Sequence, residues 1–407
     1  MEKFDIGIIG GGPAGYTVGM LFAKQGKSVI LFEKEKLGGT CLNRGCIPTK
    51  SMLHYSELYS ELKNSDIFKE NNIHVDFSKI IEKKNITVDK IRKSLELAVK
   101  NSGVKTVYAE ACVKDKNMII ANNLEYIVDK IIIATGSKPR EIKGLEFDHK
   151  FILSSDDVLA LETLPKSILI VGSGAIGIEW ARIFSNFGVE VTVIEMAEHL
   201  IPLADIEVSK RVERIFKKQG IKFYTNDYIE KIENKTASLK SGVTINPEII
   251  LVATGRIPVC PECDCDSTLG DACGEIQLAH YAIWQAKTEA LGIPFDKTLV
   301  PAVIYGEPEI AWVGIREQDM DEDCNKYMLP ITALGKAWCD DATDGFIKII
   351  TKNEKIVGAH IVSKEASSLI HILLMAIQNK TSVEELKSIC FAHPTYAEGI
   401  AEIISYI

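Results

Sequence analysis

Two cysteines five residues apart, Cys41 and Cys46, are the side chains in this sequence best suited to redox chemistry. In an undistorted helix the rise alone would separate their Cα atoms by about 7.5 Å, and a disulfide requires Cα atoms within about 7 Å. Because proline favours the first turn of a helix, Pro48 predicts that the helix begins near Cys46 and that Cys41 lies on the glycine-rich segment before it. This arrangement would permit a disulfide and would lower the pKa of Cys46 at the helix N-terminus. The alternative is a pair of unrelated buried cysteines.

A glycine-rich turn of the pattern G-x-G-x-x-G occurs twice, each time between an apolar strand and an apolar helix. The turn residues that we assign to dinucleotide binding are Gly10, Gly12 and Gly15 in the first copy and Gly172, Gly174, Ile176 and Gly177 in the second. A second strand then ends at Glu33 or Glu195, 23 positions after the first glycine in both copies. Such glycines let the backbone approach a pyrophosphate at a helix N-terminus, and the acid can bind a ribose diol. The sequence therefore predicts two dinucleotide-binding units.

The same two units share a third feature downstream. The strands KIIIATG and IILVATG end in Ala-Thr-Gly at Gly136 and Gly255, where the returning strand of each unit would fall. In the second unit, Glu195 favours NAD over NADP because a carboxylate suits a free 2′-hydroxyl and repels a 2′-phosphate. The residues that follow it, MAEHL, include no arginine that could bind that phosphate.

The overall composition excludes several other classes of protein. The chain has 407 residues, of which 46% are hydrophobic and 25% charged, as in a folded protein of two to four domains. The net charge of −9 disfavours nucleic acid as a partner. The sequence contains no apolar run of about 18 residues, the length that a membrane span needs. We expect a cytoplasmic protein with no nucleic-acid or membrane partner.

Four of the ten cysteines are close together in one segment: Cys260, Cys263, Cys265 and Cys273. Four thiols could bind zinc, but their spacing does not match two C-x2-C knuckles and no histidine lies among them. We interpret the segment as an exposed acidic loop and predict no metal site.

Several further motifs make the chain resemble the pyridine nucleotide–disulfide oxidoreductases over almost its whole length, and most closely their dihydrolipoamide-oxidising members. The matching segments are GGTCLNRGCIPTK (38–50), VATGR (252–256), GDACGEIQLAH (270–280), PAVIYGEPEIAWVG (301–314) and AHPTYAE (392–398). The resemblance implies an α/β fold with two Rossmann-like domains, for FAD and NAD, and a C-terminal α+β dimerisation domain. The implied domains are residues 1–145 for FAD and the cysteine pair, 146–258 for NAD, 259–297 for the return to the first domain, and 298–407 for the interface.

The resemblance also implies roles for individual residues. For FAD it implies Gly10, Gly12, Gly15, Glu33, Thr40, Ala111, Gly136, Asp271 and Ala279, and for NAD it implies Gly172, Gly174, Ile176, Gly177, Glu195 and Gly255. By the same resemblance, Cys41 exchanges with substrate and Cys46 faces the flavin. Lys50 lies by the flavin with Glu179 as its ion partner. His393 and Glu398 form an acid–base pair that works in the active site of the partner subunit.

These implications lead to a specific functional hypothesis. We expect a homodimer with shared active sites that oxidises protein-bound dihydrolipoamide with reduction of NAD. The lipoyl-carrying partner would belong to a 2-oxoacid dehydrogenase complex or a glycine cleavage system. One alternative is a different NAD(P)H-dependent flavoprotein disulfide reductase, similar to glutathione reductase. Another is a non-catalytic dinucleotide-binding flavoprotein.

The sequence departs from the family between residues 225 and 271. The linker IPVCPECDCDSTL is short and has no apolar strand pattern, so we expect no strand immediately before Asp271. The β-meander between residues 225 and 250 is expected to be trimmed.

Overall fold

The computed structural model describes residues 2–65, 67 and 74–407. This part of the chain forms two α/β units around largely parallel sheets, followed by a unit with an antiparallel sheet and helices. The predicted fold class is therefore confirmed. Among the described residues, no helix combines the length and apolar character needed to cross a bilayer. The predicted domain boundaries stay predictions.

The first unit is built on a sheet of strand order β3-β2-β1-β6-β5-β4, in which β1, β2, β3 and β6 are parallel. Its elements are β1 (Glu2–Ile9), α1 (Pro13–Lys24), β2 (Val29–Glu33), α2 (Gly39–Arg44), α3 (Cys46–Asn64), α4 (Phe77–Asn101), β3 (Lys105–Tyr108), β4 (Ala111–Asp115), β5 (Met118–Ala121), β6 (Leu124–Ile133) and β7 (Ser137–Pro139). Strand β2 reads VILFE and is buried throughout, as expected for a parallel strand covered on both faces. Because parallel strands end at the same edge, the turns that follow β1 and β6 lie side by side there.

The second unit repeats this plan with five parallel strands in the order β11-β10-β9-β15-β8. Its elements are β8 (Ile152–Leu153), α5 (Ser155–Val158), β9 (Ser167–Val171), α6 (Ala175–Asn186), β10 (Glu190–Ile194), α7 (Ile206–Lys218), β11 (Lys222–Tyr224), β12 (Ile229–Glu233), β13 (Thr236–Leu239), β14 (Thr244–Ile245), β15 (Ile249–Val252) and β16 (Arg256–Pro258). A separate antiparallel sheet of β12, β13 and β14 forms where we expected a trimmed meander. Strand β16 pairs antiparallel with β7, so the segments after the two Ala-Thr-Gly sequences meet.

The chain then returns to the first sheet, and here one prediction is wrong. We expected no strand before Asp271, but β17 (Ser267–Thr268) pairs in parallel with the end of β6. The pairing needs no apolar side chains because backbone groups and Asp266 make it: Asp266 accepts a hydrogen bond from the N–H of Ile131, and its own N–H donates to the Ile131 carbonyl. A single 3₁₀ turn (Gly270–Cys273) and α8 (Ala279–Leu291) follow.

The C-terminal unit is an antiparallel sheet of order β18-β19-β22-β21-β20, with helices packed against it. Its elements are β18 (Ala302–Ile304), β19 (Glu309–Gly314), β20 (Cys324–Pro330), α9 (Gly335–Cys339), β21 (Phe346–Lys352), β22 (Lys355–Ser363), α10 (Ala366–Gln378), α11 (Val383–Lys387) and α12 (Glu398–Ser405), with 3₁₀ turns at Lys297–Leu299, Glu317–Asp319 and Ile331–Ala333. A buried ion pair between Lys348 of β21 and Asp205, the N-cap residue of α7, ties this unit to the second one.

Candidate active site

The first glycine turn joins β1 to α1 and has the geometry of a phosphate-binding loop. Gly10 has φ +107°, and a Cβ there would lie 2.2 Å from the Ala134 carbonyl oxygen. A Cβ at Gly15 would lie 1.9 Å from the Gly10 oxygen, so both positions require glycine. At Gly12 the nearest atom to an added Cβ is the Gly39 Cα, 3.8 Å away, so the outer surface of the turn is open. Since α1 begins directly after this turn, the turn fits a pyrophosphate.

Glu33 ends β2 beside this turn and is buried. Its carboxylate accepts hydrogen bonds from the N–H groups of Gly11 at 2.8 Å and Glu35 at 2.7 Å, which leaves acceptor capacity for a ribose diol. A cavity of about 340 Å³ opens here, lined by Glu33, Glu35, Lys36, Gly39, Asn43 and Arg44. The Ala109 N–H donates a hydrogen bond to the Glu33 carbonyl at the end of β2. Ala111 comes two residues after this contact. These residues fit the adenosine end of FAD.

The two candidate redox cysteines lie on consecutive helices. Helix α3 begins at Cys46, as predicted. Cys41 lies within the short helix α2 and not on an irregular segment, which corrects that part of the prediction. Gly45 separates the helices with φ −143° and ψ −115°, and a Cβ there would lie 2.9 Å from the Thr40 carbonyl oxygen. This close approach folds α2 back on α3 and brings the two thiols together.

The environment makes the two thiols chemically unequal. Both are free thiols, and they hydrogen-bond to each other. The hydrogen bond from Cys41 lowers the pKa of Cys46 to about 7, and the nearby charge of Lys50 acts in the same direction against burial. The same hydrogen bond, together with burial, raises the pKa of Cys41. Near neutral pH, Cys46 therefore carries the thiolate when one of the two is ionised, and Cys41 keeps its proton.

A salt bridge fixes the lysine that follows Cys46 by one helical turn. Lys50 Nζ lies 2.8 Å from each carboxylate oxygen of Glu179 on α6. Glu179 is buried and also accepts a hydrogen bond from the Tyr305 N–H at 3.1 Å. The Tyr305 ring lies 4.6 Å from Lys50 Nζ, within cation–π distance. Three parts of the chain therefore hold one ammonium group beside the cysteine pair.

Asp271 lies in the 3₁₀ turn that follows β17 and belongs to a polar network. Its carboxylate accepts a hydrogen bond from Ser137 Oγ at 2.6 Å. Arg256 Nε donates to Ser137 Oγ at 2.7 Å, and Arg256 Nη2 donates to the Ser137 carbonyl at 2.8 Å. The short strand β17 thus brings Asp271 to the strand ends of the first sheet, where its predicted role requires it.

Three other residues predicted to bind FAD occupy well-defined positions. Thr40 Oγ1 lies 3.5 Å from Arg256 Nη2, next to the network of Asp271. Gly136 has φ +77° and no atom within 4 Å of an added Cβ, so space is open above it. Ala279 is the first residue of α8, at a helix N-terminus.

The second glycine turn reproduces the first. Gly172 has φ +100°, and a Cβ at Gly177 would lie 1.9 Å from the Gly172 oxygen. An added Cβ at Gly174 or Gly255 would have no atom within 4 Å, so the turn surface is open. Ile176 lies in the first turn of α6, two residues after Gly174. The arrangement fits a second pyrophosphate.

Glu195 follows the end of β10 beside this turn, and its carboxylate is held by three donors. They are the Ser173 N–H at 2.9 Å, Ser173 Oγ at 2.7 Å and the Ala197 N–H at 2.9 Å. The position matches that of Glu33 in the first unit, with one additional donor.

His393 and Glu398 form a second polar centre in the C-terminal unit. His393 Nδ1 lies 2.8 Å from Glu398 Oε1, and the Thr395 N–H donates to Glu398 Oε2 at 2.8 Å. The Thr395 N–H lowers the pKa of Glu398, with His393 contributing, so this carboxylate stays ionised. The His393 side chain is 78% exposed, and within the described part of one chain no hydrogen bond or ion pair joins it to Cys41 or Cys46.

The four clustered cysteines occupy the loop around β17 and the turn after it. Cys263 and Cys265 pack partly against the core, and burial together with the Cys265 thiol raises the pKa of Cys263 to about 11. Within residues 2–65, 67 and 74–407, no group of three or more metal-ligating side chains has a geometry suited to an ion.

Sequence reasoning missed four residues that position the site: Ser137, Ser173, Arg256 and Tyr305. Ser173 lies inside the second glycine turn, so a hydroxyl at that position was a detectable signal. Arg256 follows the second Ala-Thr-Gly and was likewise visible as part of a motif. No sequence motif around Tyr305 indicated its role. It contacts Glu179 only because two units of the chain pack together, and the two residues are 126 positions apart in sequence.

The fold, the paired thiols and the two dinucleotide turns define a flavoprotein disulfide oxidoreductase that binds FAD and depends on NAD. The chain belongs to the pyridine nucleotide-disulphide oxidoreductase family: residues 4–282 match that family, and residues 300–404 match its dimerisation domain. The expected homodimer is supported by this domain.

Individual relatives are similar along nearly the whole chain. The dihydrolipoyl dehydrogenase of Bacillus subtilis is 33% identical over 459 aligned positions, covering 98% of this chain and 97% of the relative. The leghemoglobin reductase of Vigna unguiculata is 31% identical, covering 98% and 87%. Among solved structures, LpdA from Mycobacterium tuberculosis has a TM-score of 0.91 at 23% identity, covering 100% of this chain and 99% of that one, and shares the fold.

The alignment with the Bacillus subtilis relative also shows that this chain is shorter. The 459 aligned positions of the Bacillus subtilis relative exceed the 407 residues of this chain, so the relative contains internal segments that this chain lacks. This agrees with the expectation that the chain is short for its family.

Proposed function

We propose that this protein is a homodimeric enzyme that oxidises protein-bound dihydrolipoamide to lipoamide with reduction of NAD. The observation that carries the proposal is the unequal thiol pair, in which Cys46 has a pKa of about 7 and Cys41 a raised one, next to the Lys50–Glu179 salt bridge. Such a pair can alternate between a disulfide and a dithiol within one active site. Dihydrolipoyl dehydrogenases are among the relatives that match 98% of the chain.

In the proposed reaction, one dihydrolipoamide thiolate attacks the Cys41 sulfur of a Cys41–Cys46 disulfide. A mixed disulfide to Cys41 forms, and Cys46 leaves as a thiolate, which its low pKa and the charge of Lys50 favour. The second substrate thiol, as its thiolate, then attacks the mixed disulfide and releases Cys41. The substrate loses two protons and one electron pair. The cysteine pair gains the electron pair and one proton, which stays on Cys41, and the other proton leaves through His393.

His393 is the proposed base for the substrate thiols. Glu398 holds Nδ1, so Nε2 is free to take a proton, and the ionised carboxylate stabilises the charged imidazole. Because His393 is exposed and has no bond to the cysteines of its own chain, we propose that it serves the cysteines of the partner subunit. When bound, FAD supplies the electron path from the cysteine pair to NAD.

The cofactor residues complete the proposal. Gly10, Gly12, Gly15, Glu33, Thr40, Ala111, Gly136, Asp271 and Ala279 would hold FAD, and Gly172, Gly174, Ile176, Gly177, Glu195 and Gly255 would hold NAD. The proposed domains keep the predicted boundaries. A cytoplasmic location is part of the proposal, since ten cysteines in 407 residues are too few for the disulfide scaffold of a small secreted protein.

The direct test is the activity of cysteine variants of the FAD-loaded protein. Cys41→Ser should retain FAD but lose dihydrolipoamide oxidation by at least about 10³-fold, since no disulfide can form. Cys324→Ser, which changes a thiol in the C-terminal unit, should keep wild-type activity. Full dihydrolipoamide turnover by Cys41→Ser would overturn the proposal.

A sister disulfide reductase is the second candidate, and the leghemoglobin reductases among the relatives favour testing it. NADH-dependent rates with lipoamide, glutathione disulfide and coenzyme A disulfide separate the candidates. A specificity constant for lipoamide at least tenfold above the others supports the proposal, and a preference for another disulfide supports the second candidate. A protein that cannot be loaded with FAD would instead be a non-catalytic member.

A further inference from the structure

Ser173 is the second residue of the second glycine turn. Its side chain makes two hydrogen bonds in addition to those of its backbone. Its side chain is fully buried. Its hydroxyl donates to Glu195 Oε2 at 2.7 Å and accepts from the Ile201 N–H at 3.1 Å. One hydroxyl therefore joins both ends of the segment 195–201 to the glycine turn.

The first unit of the same chain provides an internal comparison. Gly11 occupies the position of Ser173, and its N–H donates to Glu33 at 2.8 Å, just as the Ser173 N–H donates to Glu195 at 2.9 Å. Glu33 and Glu195 each also accept one N–H from two residues further along the chain. Within the described part of the chain, the hydroxyl bond is thus the one polar contact by which the carboxylate of Glu195 differs from that of Glu33.

Ile201, at the far end of the segment 195–201, has an unfavourable backbone conformation. Ile201 is buried and has φ +54°, a left-handed conformation that is rare for a β-branched residue. Its N–H is bonded to the Ser173 hydroxyl, and its carbonyl accepts from Ser209 Oγ at 3.4 Å. Strained backbone persists where surrounding contacts over-determine it, and such residues cluster at binding sites.

We propose that Ser173 is a positioning residue that sets the preference for NAD over NADP by locking the Glu195 carboxylate in one orientation. A fixed acceptor loses little conformational freedom when it binds a ribose diol. A fixed carboxylate also cannot rotate away from a 2′-phosphate, so the like-charge repulsion is felt in full. Without the hydroxyl, only the N–H groups of residue 173 and Ala197, among the described residues, hold the carboxylate, so its position is less fixed. This weakens the diol contact and relieves part of the repulsion.

The test is the dissociation constant of the FAD-loaded protein for NAD⁺ and for NADP⁺, measured by calorimetry. Ser173→Ala should raise the constant for NAD⁺ about fivefold to tenfold, the loss expected for one typical intramolecular hydrogen bond that supports the binding group. The constant for NADP⁺ should stay equal or fall, so that the preference for NAD⁺ decreases at least about fivefold. Ser173→Gly should change both dissociation constants in the same way as Ser173→Ala. It introduces the residue type that occupies the equivalent position, Gly11, of the first turn.

Ser209→Ala is the matched control, because Ser209 is a buried serine bonded to the same Ile201 but not to Glu195. It should leave the ratio of the two constants within about twofold of wild type. The proposal is overturned if both Ser173 variants keep the wild-type ratio, if they weaken NAD⁺ and NADP⁺ equally, or if Ser209→Ala changes the ratio as much.

Discussion

The ammonium group of Lys50 lies 2.8 Å from both carboxylate oxygens of Glu179, and the two charges act on the Cys46 thiol in opposite directions. Lys50 lowers the pKa of Cys46, whereas Glu179 raises it. The salt bridge therefore sets how much of the lysine charge the thiolate experiences.

Substitution of each partner should shift the Cys46 titration in opposite directions. Lys50→Met removes the positive charge, so the pKa of Cys46 should rise above its value of about 7. Glu179→Gln removes the negative charge, so the pKa should fall below that value. The pH dependence of the thiolate absorbance near 240 nm, in the reduced protein, measures both. Shifts of the same sign in the two variants would contradict this account.

The shared active site can be tested by mixing two inactive variants. His393→Gln should lose about 10²- to 10⁴-fold in dihydrolipoamide oxidation, the usual contribution of a general base. In a heterodimer of His393→Gln with Cys41→Ser, one active site combines intact cysteines of the first chain with the intact histidine of the second. Refolding the two variants together should therefore restore activity, up to half of wild type per heterodimer.

The control for this experiment is each variant refolded alone, which should stay inactive. If His393 worked on the cysteines of its own chain, no combination would contain a complete site. Absence of recovery in verified heterodimers would thus refute the shared arrangement.

Glu57 on α3 should make stability depend on pH. Burial raises the pKa of this carboxyl from 4.5 to about 7, with the nearby Glu307 charge adding to the effect. A raised folded-state pKa means that the stabilisation is complete below pH 4.5 and is lost as the pH rises through 7. The loss is at most about 3 kcal/mol, since one pKa unit corresponds to about 1.4 kcal/mol.

Glu57→Gln removes this dependence, so its free energy of unfolding relative to wild type should increase between pH 5 and pH 8. Denaturant titrations at the two pH values measure the difference. Glu61→Gln, at an exposed position one helical turn later, is the control and should show no such increase. An equal change in both variants would exclude burial of Glu57 as the cause.

Substituting only one partner of the ion pair between Lys348 and Asp205 should lower the free energy of unfolding strongly. Both side chains are buried, and Lys348 Nζ lies 2.7 and 2.9 Å from the two carboxylate oxygens. Lys348→Met leaves a buried carboxylate without its partner and should cost about 3–5 kcal/mol of unfolding free energy. The double variant with Asp205→Asn should recover much of this loss.

Lys222→Met provides the comparison, because Lys222 and Glu190 are both exposed and form an ion pair at the surface. It should cost less than about 1 kcal/mol. Urea titrations of five proteins complete the comparison: wild type, Lys348→Met, Asp205→Asn, the double variant and the surface control. Strictly additive effects of the single substitutions at 348 and 205 would contradict the coupling.

Much of the site could be predicted from sequence because its determinants are local. In each unit the glycine turn and the acid lie within 24 residues, and the first strand comes directly before the turn. The start of α3 at Cys46 was predictable for the same reason, since Gly45 and Pro48 act on the backbone beside them. The short helix around Cys41 was not, because it depends on the close approach of α2 to α3.

Other features were decided only when distant elements packed together. Strand β17 forms without an apolar pattern, because the end of β6 offers free backbone groups and Asp266 completes the pairing. The contact of Tyr305 with Glu179 likewise joins residues that no sequence window connects.

The sequence by itself determined that two dinucleotide turns, a cysteine pair and a histidine–glutamate pair are present, because each depends on residue type and short-range backbone geometry. Tertiary structure alone decided that the Cys41 thiol and the charge of Lys50 lower the pKa of Cys46, that the Ser173 hydroxyl holds Glu195, and that, among the described residues, no hydrogen bond joins His393 to the cysteines of its own chain. The physical reason is that a pKa or a hydrogen bond depends on distances between side chains, and those distances are fixed by packing across units.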